Sequence, residues 1–278
     1  MKTLLLLLAL FLVLSINAKN KKITLEQAAK SHLVKFKIKG TGLHSGNCLD
    51  MHLENLRDDS LIILLESGRR LDSQNNNEQD IFVTQDQFFV LGAHQSRNCK
   101  INGFCCQATN HSPAKSSGFN IGKMADQNLK SLASYLNNRK MDESTLQSAV
   151  WCVSDKRSIA SIPKVQNELR EVLSAITGEE LPWYELEYDN SSSDISRAQT
   201  AQKIFGYIDY KLKKTSKVKI ELRDERERLI LNVANNKLVN EGEHDFWFEM
   251  QVSNYPKGTY YIHFVNEDGI IAKKSFVI

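Results

Sequence analysis

Five cysteines have the widest chemical range in this chain: Cys48, Cys99, Cys105, Cys106 and Cys152, all within the first 152 of 278 residues. A thiol serves as a nucleophile only when a neighbouring base or cation lowers its pKa. Cys48 has His44 and His52 four residues away on either side. On a strand that spacing puts all three on one face, with each imidazole roughly 13 Å from the sulfur. No cysteine-enzyme pattern surrounds them, so the plain reading is a disulfide cysteine between two surface histidines. A zinc site finds no support, because there is no Cys-x-x-Cys pair and His94 and His111 lack ligand-like spacing. In an oxidising compartment all five are disulfide candidates, with one thiol left over. Cys105 and Cys106 are adjacent and would face opposite sides of a strand.

A second chemistry rests on Gln147. The stretch Leu146-Gln147-Ser148-Ala149-Val150-Trp151 resembles the glutamine motif of thioester-forming adhesins on Gram-positive surfaces. The resemblance implies a Cys–Gln thioester that captures a host amine, with Cys48 or Cys106 as the partner of Gln147. The alternative is structural: Ala149 and Val150 are core positions of an amphipathic helix and Trp151 is a packing anchor.

Other chemistries lack their parts. Asp58-Asp59, Glu179-Glu180 and Glu185/Glu187 are acid pairs at loop edges, without the cleft that glycoside hydrolysis needs. Asp189 to Asp194 lacks the Gly and terminal Glu of a helix-loop-helix calcium site. Gly40-Thr-Gly-Leu-His-Ser-Gly46 has no Lys-Ser/Thr and no following helix, so it is no phosphate loop. No catalytic residue, metal ligand or cofactor is assigned.

The composition is that of a folded globular chain: 41% hydrophobic, 25% charged, 13 Gly and 4 Pro. Lys and Arg number 36 against 33 Asp and Glu, a net charge of +3, too small and dispersed to indicate nucleic acid. Residues 1–18 read as a signal peptide, with Lys2 as the basic region, Leu4 to Leu14 as the apolar run and Ala18 before the cut. The apolar run is short for a membrane span. The expectation is an exported chain beginning near Lys19, secreted or on the outer cell surface with the periplasm as transit, and without a stable span after signal removal.

Hydrophobic alternation then predicts strands over 33–40, 48–56, 61–65, 81–83, 88–91 and 97–108. Helical periodicity follows over 124–138, over 145–154 with Asp142 or Ser144 as N-cap, and from Pro163 to a stop at Thr177-Gly178. Residues 41–47, 72–80 and 107–120 are loops, and a ligand would meet the first domain there. Periodicity vanishes over 185–200. Short strands in series then run to Ile278, with turns at 255–258 and 267–269.

This last stretch carries a resemblance. Ile208-Asp-Tyr-Lys-Leu, Val218-Lys-Ile-Glu-Leu-Arg-Asp, Glu241-Gly-Glu-His, Tyr255-Pro-Lys-Gly-Thr-Tyr-Tyr261 and the closing Glu267 to Ile278 resemble the C-terminal sorting domain of the type IX secretion system of Bacteroidota. They are also similar to the immunoglobulin-like domain of flagellar hook-capping proteins. The resemblance implies an immunoglobulin-like sandwich and a sorting signal at Gly258, Tyr260 and Lys273 or Lys274. The Pro-Asn-Pro opening of the sorting family is absent, and its Gly-containing turn is replaced by Asp224-Glu-Arg-Glu-Arg.

The expected fold is mainly β with an α-helical addition (α+β). Residues 30–180 form an antiparallel β-sandwich plus two or three helices, 185–200 a linker and 201–278 a small immunoglobulin-like sandwich. The expected function is non-catalytic binding or adhesion, with the secretion machinery and a surface or extracellular ligand as partners. The alternative is a cysteine-dependent enzyme or thioester adhesin using Cys48 or Cys106 with Gln147.

Overall fold

The computed structural model describes residues 21–188 and 200–278. The expected signal peptide 1–18 and most of the expected linker 185–200 lie outside the described residues. The protein is mainly β and divides into two compact units, 1–155 and 156–278.

The first unit begins with strand β1 (Lys21–Thr24) and helix α1 (Leu25–Lys30), whose N-terminus is closed by a capping box between Thr24 and Gln27. Strands β2 (Val34–Gly40), β3 (Ser45–Asn55), β4 (Leu61–Leu65), β5 (Arg69–Ser73), β6 (Ile81–Phe82), β7 (Gln87–Leu91), β8 (Ser96–Cys105) and β9 (Gly118–Met124) follow. Helices α2 (Gln127–Leu136) and α3 (Glu143–Ser154) complete the unit, capped by the side chains of Asp126 and Asp142. Alternation decides the buried face: Val34 and Ile38 of β2 point inward while Lys35, Lys37 and Lys39 are exposed.

The expected open sandwich is replaced by a closed barrel in the order β2-β3-β8-β6-β5-β9, beside a three-stranded sheet β1-β4-β7. Alternating burial is the same on an open sheet and on a barrel, so the pattern alone did not separate them. Strand β9 makes the difference. It pairs with β2 through Ile38–Phe119 and with β5 through Leu71–Ile121, joining the two ends of the sheet. Closure leaves no free edge on these six strands.

The second unit begins with 3-10 turns at Ile159–Ser161 and Lys164–Gln166 and helix α4 (Asn167–Thr177). Gly178 ends the helix at φ 76°, a left-handed cap that suits glycine. The helix expected as part of the first domain therefore belongs to the second unit. Its buried Arg170 donates to the carbonyls of Pro182 (2.5 Å) and Tyr184 (3.0 Å). Strands β10 (Glu185–Tyr188), β11 (Ala201–Leu212), β12 (Ser216–Arg223), β13 (Leu229–Val239), β14 (Gly242–Gln251), β15 (Thr259–Asn266) and β16 (Gly269–Val277) form two antiparallel sheets, β10-β11-β14 and β13-β12-β15-β16. One core joins them: Ile204, Ile208 and Phe248 from the first sheet meet Ile220, Leu222, Ile262, Phe264 and Phe276 from the second.

Within that second sheet Glu221 sits opposite His263 and both are buried. A hydrogen bond from Lys219 (salt bridge 2.6 Å), helped by Arg223, holds the Glu221 carboxyl below its usual range. Burial pushes His263 below its ordinary 6.5, against the opposing charge of Glu227. Both folded-state values lie below the unfolded ones, so the unfolded chain binds more protons in acid. Stability is full above pH 6.5. It falls first as His263 would protonate, and again below 4.5 as Glu221 would. Thermal midpoints measured from pH 8 to 4 check this. His263→Gln removes the first step, and a flat profile between pH 7 and 5 contradicts it.

Candidate functional site at the loop end of the barrel

The three loops named from the sequence converge. Gly40, at the end of β2, exchanges hydrogen bonds with the third loop: its N–H donates to Ser117 O at 2.8 Å and its C=O accepts from Ser116 N at 2.9 Å. A side chain there would meet the carbonyl of Ala114 at 2.5 Å, so only glycine allows this approach. Thr41 turns the first loop back on β3, donating through its hydroxyl to Cys48 O at 2.9 Å.

The second and third loops are tied by buried polar side chains. The carboxylate of Glu78 accepts from Ser117 Oγ (2.8 Å) and Ser73 Oγ (3.3 Å). Gln79 Oε1 accepts from Gln107 N (3.2 Å), and Gln79 Nε2 donates to Asn110 O (3.2 Å). Asp80 accepts from Ser73 N (2.9 Å), Gln107 Nε2 (2.9 Å) and the Arg70 guanidinium. Buried polar groups are costly unless bonded, and the buried Glu78, Gln79 and Asp80 side chains are all bonded, so the network ties these two loops together. Outward from it stand exposed Leu43, Asn76, His111, Lys115 and Ser116. Glu78, Gln79, Asp80 and Gln107 were not singled out from the sequence. In a run such as Asp-Ser-Gln-Asn-Asn-Asn-Glu-Gln-Asp their types signal only a solvated loop.

The thiols lie beneath these loops. Strand β3 carries a bulge between Gly46 and Leu49, where the register with β8 shifts. The bulge turns Cys48 and Leu49 inward in succession. Cys48 Sγ donates to Gly103 O at 3.5 Å, and Cys106 Sγ donates to Asp80 O at 3.4 Å. Burial pushes the thiols of Cys48 and Cys106 up to about 12 and that of Cys105 higher still. They are therefore protonated at neutral pH and poor nucleophiles. Among the described residues neither neighbouring histidine bonds Cys48. His52 Nδ1 contacts Asn98 Oδ1 at 2.9 Å, and burial lowers the pKa of His44 against the opposing charge of Glu143.

Among the described residues the expected disulfides are not formed, and Cys48, Cys99, Cys105, Cys106 and Cys152 are all buried. Cys99 sits across from Met51, Cys152 is on α3, Cys105 is the last residue of β8 and Cys106 lies just beyond it. A thiol reagent added to the native chain is expected to label none of the five quickly, and all five after unfolding. Fast labelling of one in the native state would contradict burial as the controlling factor.

Gln147 does reach the cysteine-bearing strand, on a different residue from those expected. Its Nε2 donates to Cys105 O at 2.8 Å and its Oε1 accepts from Cys105 N at 3.1 Å. Helix α3 thus supplies a side chain that bonds the main chain at the last residue of β8, where Cys105 N also reaches His44 O at 3.1 Å. Cys48 and Cys106, the partners suggested for a thioester, bond main-chain carbonyls instead.

In the second unit, Tyr260 is a core residue, stacked on Phe276 at 5.4 Å with its hydroxyl donating to Pro256 O at 2.7 Å. Gly258 and Ile278 exchange main-chain hydrogen bonds of 3.1 and 3.3 Å, which fasten the end of β16. Lys273 pairs with Glu227 at 2.6 Å and covers the Tyr261 ring at 3.9 Å, whereas Lys274 is exposed.

Among the described residues no group of three or more His, Cys, Asp or Glu side chains is placed to hold a metal, and no helix is long and apolar enough to cross a membrane. The chain matches no known protein family and no curated protein. Of solved structures, a β-glucosidase from Kluyveromyces marxianus is similar over 83% of this chain at 10% identity, with a TM-score of 0.19. This chain spans 44% of the length of that enzyme, and so faint a likeness defines neither fold nor function.

Proposed function

We propose that the chain is an exported, non-catalytic binding protein, secreted or held on the outer cell surface. Its barrel presents the loops 41–47, 72–80 and 107–120 to an extracellular ligand. The observation that carries this reading is the buried Glu78-Gln79-Asp80 network, which ties loops 72–80 and 107–120 together on a closed scaffold. Rigid loops on a barrel suit recognition, while the protonated thiols beneath them suit packing. The second unit is read as an immunoglobulin-like sandwich of the type IX sorting kind. Two sheets around one core support that reading, as do Gly258 and Tyr260 holding the final strand and Lys274 standing free at its surface.

The test is adhesion of cells displaying the full chain to arrays of extracellular proteins and glycans. Leu43→Ser and Lys115→Glu together are expected to abolish the loop-dependent signal without changing the thermal midpoint. Signals unaffected by these exposed substitutions overturn the assignment of the loop end.

A further inference from the structure

Strands β11 and β14 pair over ten residues, and their register sets an outward-facing ladder. Phe205 lies opposite Glu249, Tyr207 opposite Trp247, Asp209 opposite Asp245 and Lys211 opposite Glu243. The other face of the same strands buries Ile204, Ile208 and Phe248 in the core. On the outer face the Trp247 ring lies 5.8 Å from that of Phe205 and 4.9 Å from that of Tyr207, tilted at 41° and 61°. Tyr207 is 54% exposed and Trp247 44%. The rings make a shallow aromatic cradle. Beside it is a depression of about 540 Å³ lined by Asp209, Tyr210, Lys211, Glu243, His244 and Asp245.

A cross-strand aromatic pair has a structural use, contributing roughly 0.2–1 kcal/mol to a sheet. The next rung has none. Two carboxylates directly opposite each other destabilise the ladder, and among the described residues neither Asp209 nor Asp245 has a hydrogen bond or ion pair. Lys164 acts on Asp209 only through space. The remaining charges of the face are matched: Lys203 with Glu187 (3.0 Å) and Glu249 (4.0 Å), and Lys211 with Glu243 (3.1 Å). The face therefore offers π-surfaces, negative at their centres, next to two unmatched acceptors. A local rule broken without structural return points to function.

We propose that this face binds a neutral carbohydrate chain. The sugar's C–H face lies over Trp247, Tyr207 and Phe205, and its hydroxyls donate to Asp209 and Asp245. A polyol has the required donors and no charge. A cationic partner fits less well, because Lys203 and Lys211 flank the row at both ends. The site lies within the second unit and does not rest on the loop-end reading, since substitutions in the loops leave it intact.

The experiment is affinity electrophoresis of the full chain in gels containing hydroxyethylcellulose, laminarin, galactomannan or xylan, followed by tryptophan fluorescence titration. At least one of these polysaccharides is expected to retard the protein, with Trp247→Ala weakening binding about tenfold or more. Tyr207→Ala gives the same reading should Trp247→Ala not fold. Asp245→Asn is expected to raise the thermal midpoint while weakening binding, a combination that a purely structural role does not produce. Failure of all four polysaccharides to retard the wild type overturns the proposal. So do alanine variants that bind as well as the wild type, or binding of poly-lysine through the same residues.

Discussion

Arg69→Met is expected to lower the unfolding free energy by about 3–5 kcal/mol, the usual result of removing one partner from a buried ion pair. Arg69 is only 4% exposed. Its guanidinium donates to Gly122 O on β9 at 3.0 Å and pairs with Glu66 at 2.7 Å and with Glu26 of α1 at 2.9 Å. Four segments meet at this one side chain: the first helix, the β4–β5 turn, β5 itself and the strand that closes the barrel. Methionine fills a similar volume but leaves the Glu66 carboxylate and the Gly122 carbonyl without their partner. Denaturant unfolding of the full chain measures the loss, and Glu26→Gln should cost less because Glu26 is partly exposed. A loss below about 1 kcal/mol would show that the cluster contributes no more than a surface pair.

Gln147→Leu is expected to cost about 1–3 kcal/mol, because it leaves the Cys105 carbonyl buried and unpaired. The Cys105 N–H keeps a second acceptor, His44 O at 3.1 Å. Gln147→Glu should be worse at neutral pH, since a buried carboxylate accepts but does not donate. Burial raises the folded-state pKa of such a carboxyl above its unfolded value. The variant therefore holds its stability in acid, where the proton restores a donor, and loses it as pH rises. The measurement is the thermal midpoint of both variants from pH 4 to 8. Two parallel profiles would show that Gln147 is not the hydrogen-bonded lock of β8.

The alternating strands were legible because one face of each is buried and the other wet. Residues 61–65 are strand β4 as read, and β2, β3, β7 and β8 fall within a few residues of their expected places. Helices α2 and α3 were legible from their apolar stripes and from Asp142 at the cap. Strands β5 and β9 were not. Arg-Arg-Leu-Asp-Ser buries Arg69 through ion pairs that no hydropathy pattern records, and Gly-Phe-Asn-Ile-Gly-Lys-Met has too few apolar residues to show a period. Missing β9 concealed the closure and so turned a barrel into an expected sandwich. The candidate site divides in the same way. The loops were visible as loops, but their convergence depends on Glu78, Gln79 and Asp80, whose burial only tertiary structure supplies. Gln147 was visible from its neighbours, whereas its true contact, the Cys105 main chain at the end of β8, depends on the packing of α3.

Intact mass under non-reducing conditions, on protein recovered separately from the cells, their surface and the medium of its own host, tests export and the inert thiols most directly. The account predicts a chain beginning near Lys19 with no ammonia lost, and an end near Asp194 where the C-terminal domain has been removed as a sorting signal. A chain that still begins at Met1 and is found only inside the cell contradicts export. A mass lacking one ammonia contradicts the inert-thiol reading and transfers the function to a Gln147 thioester.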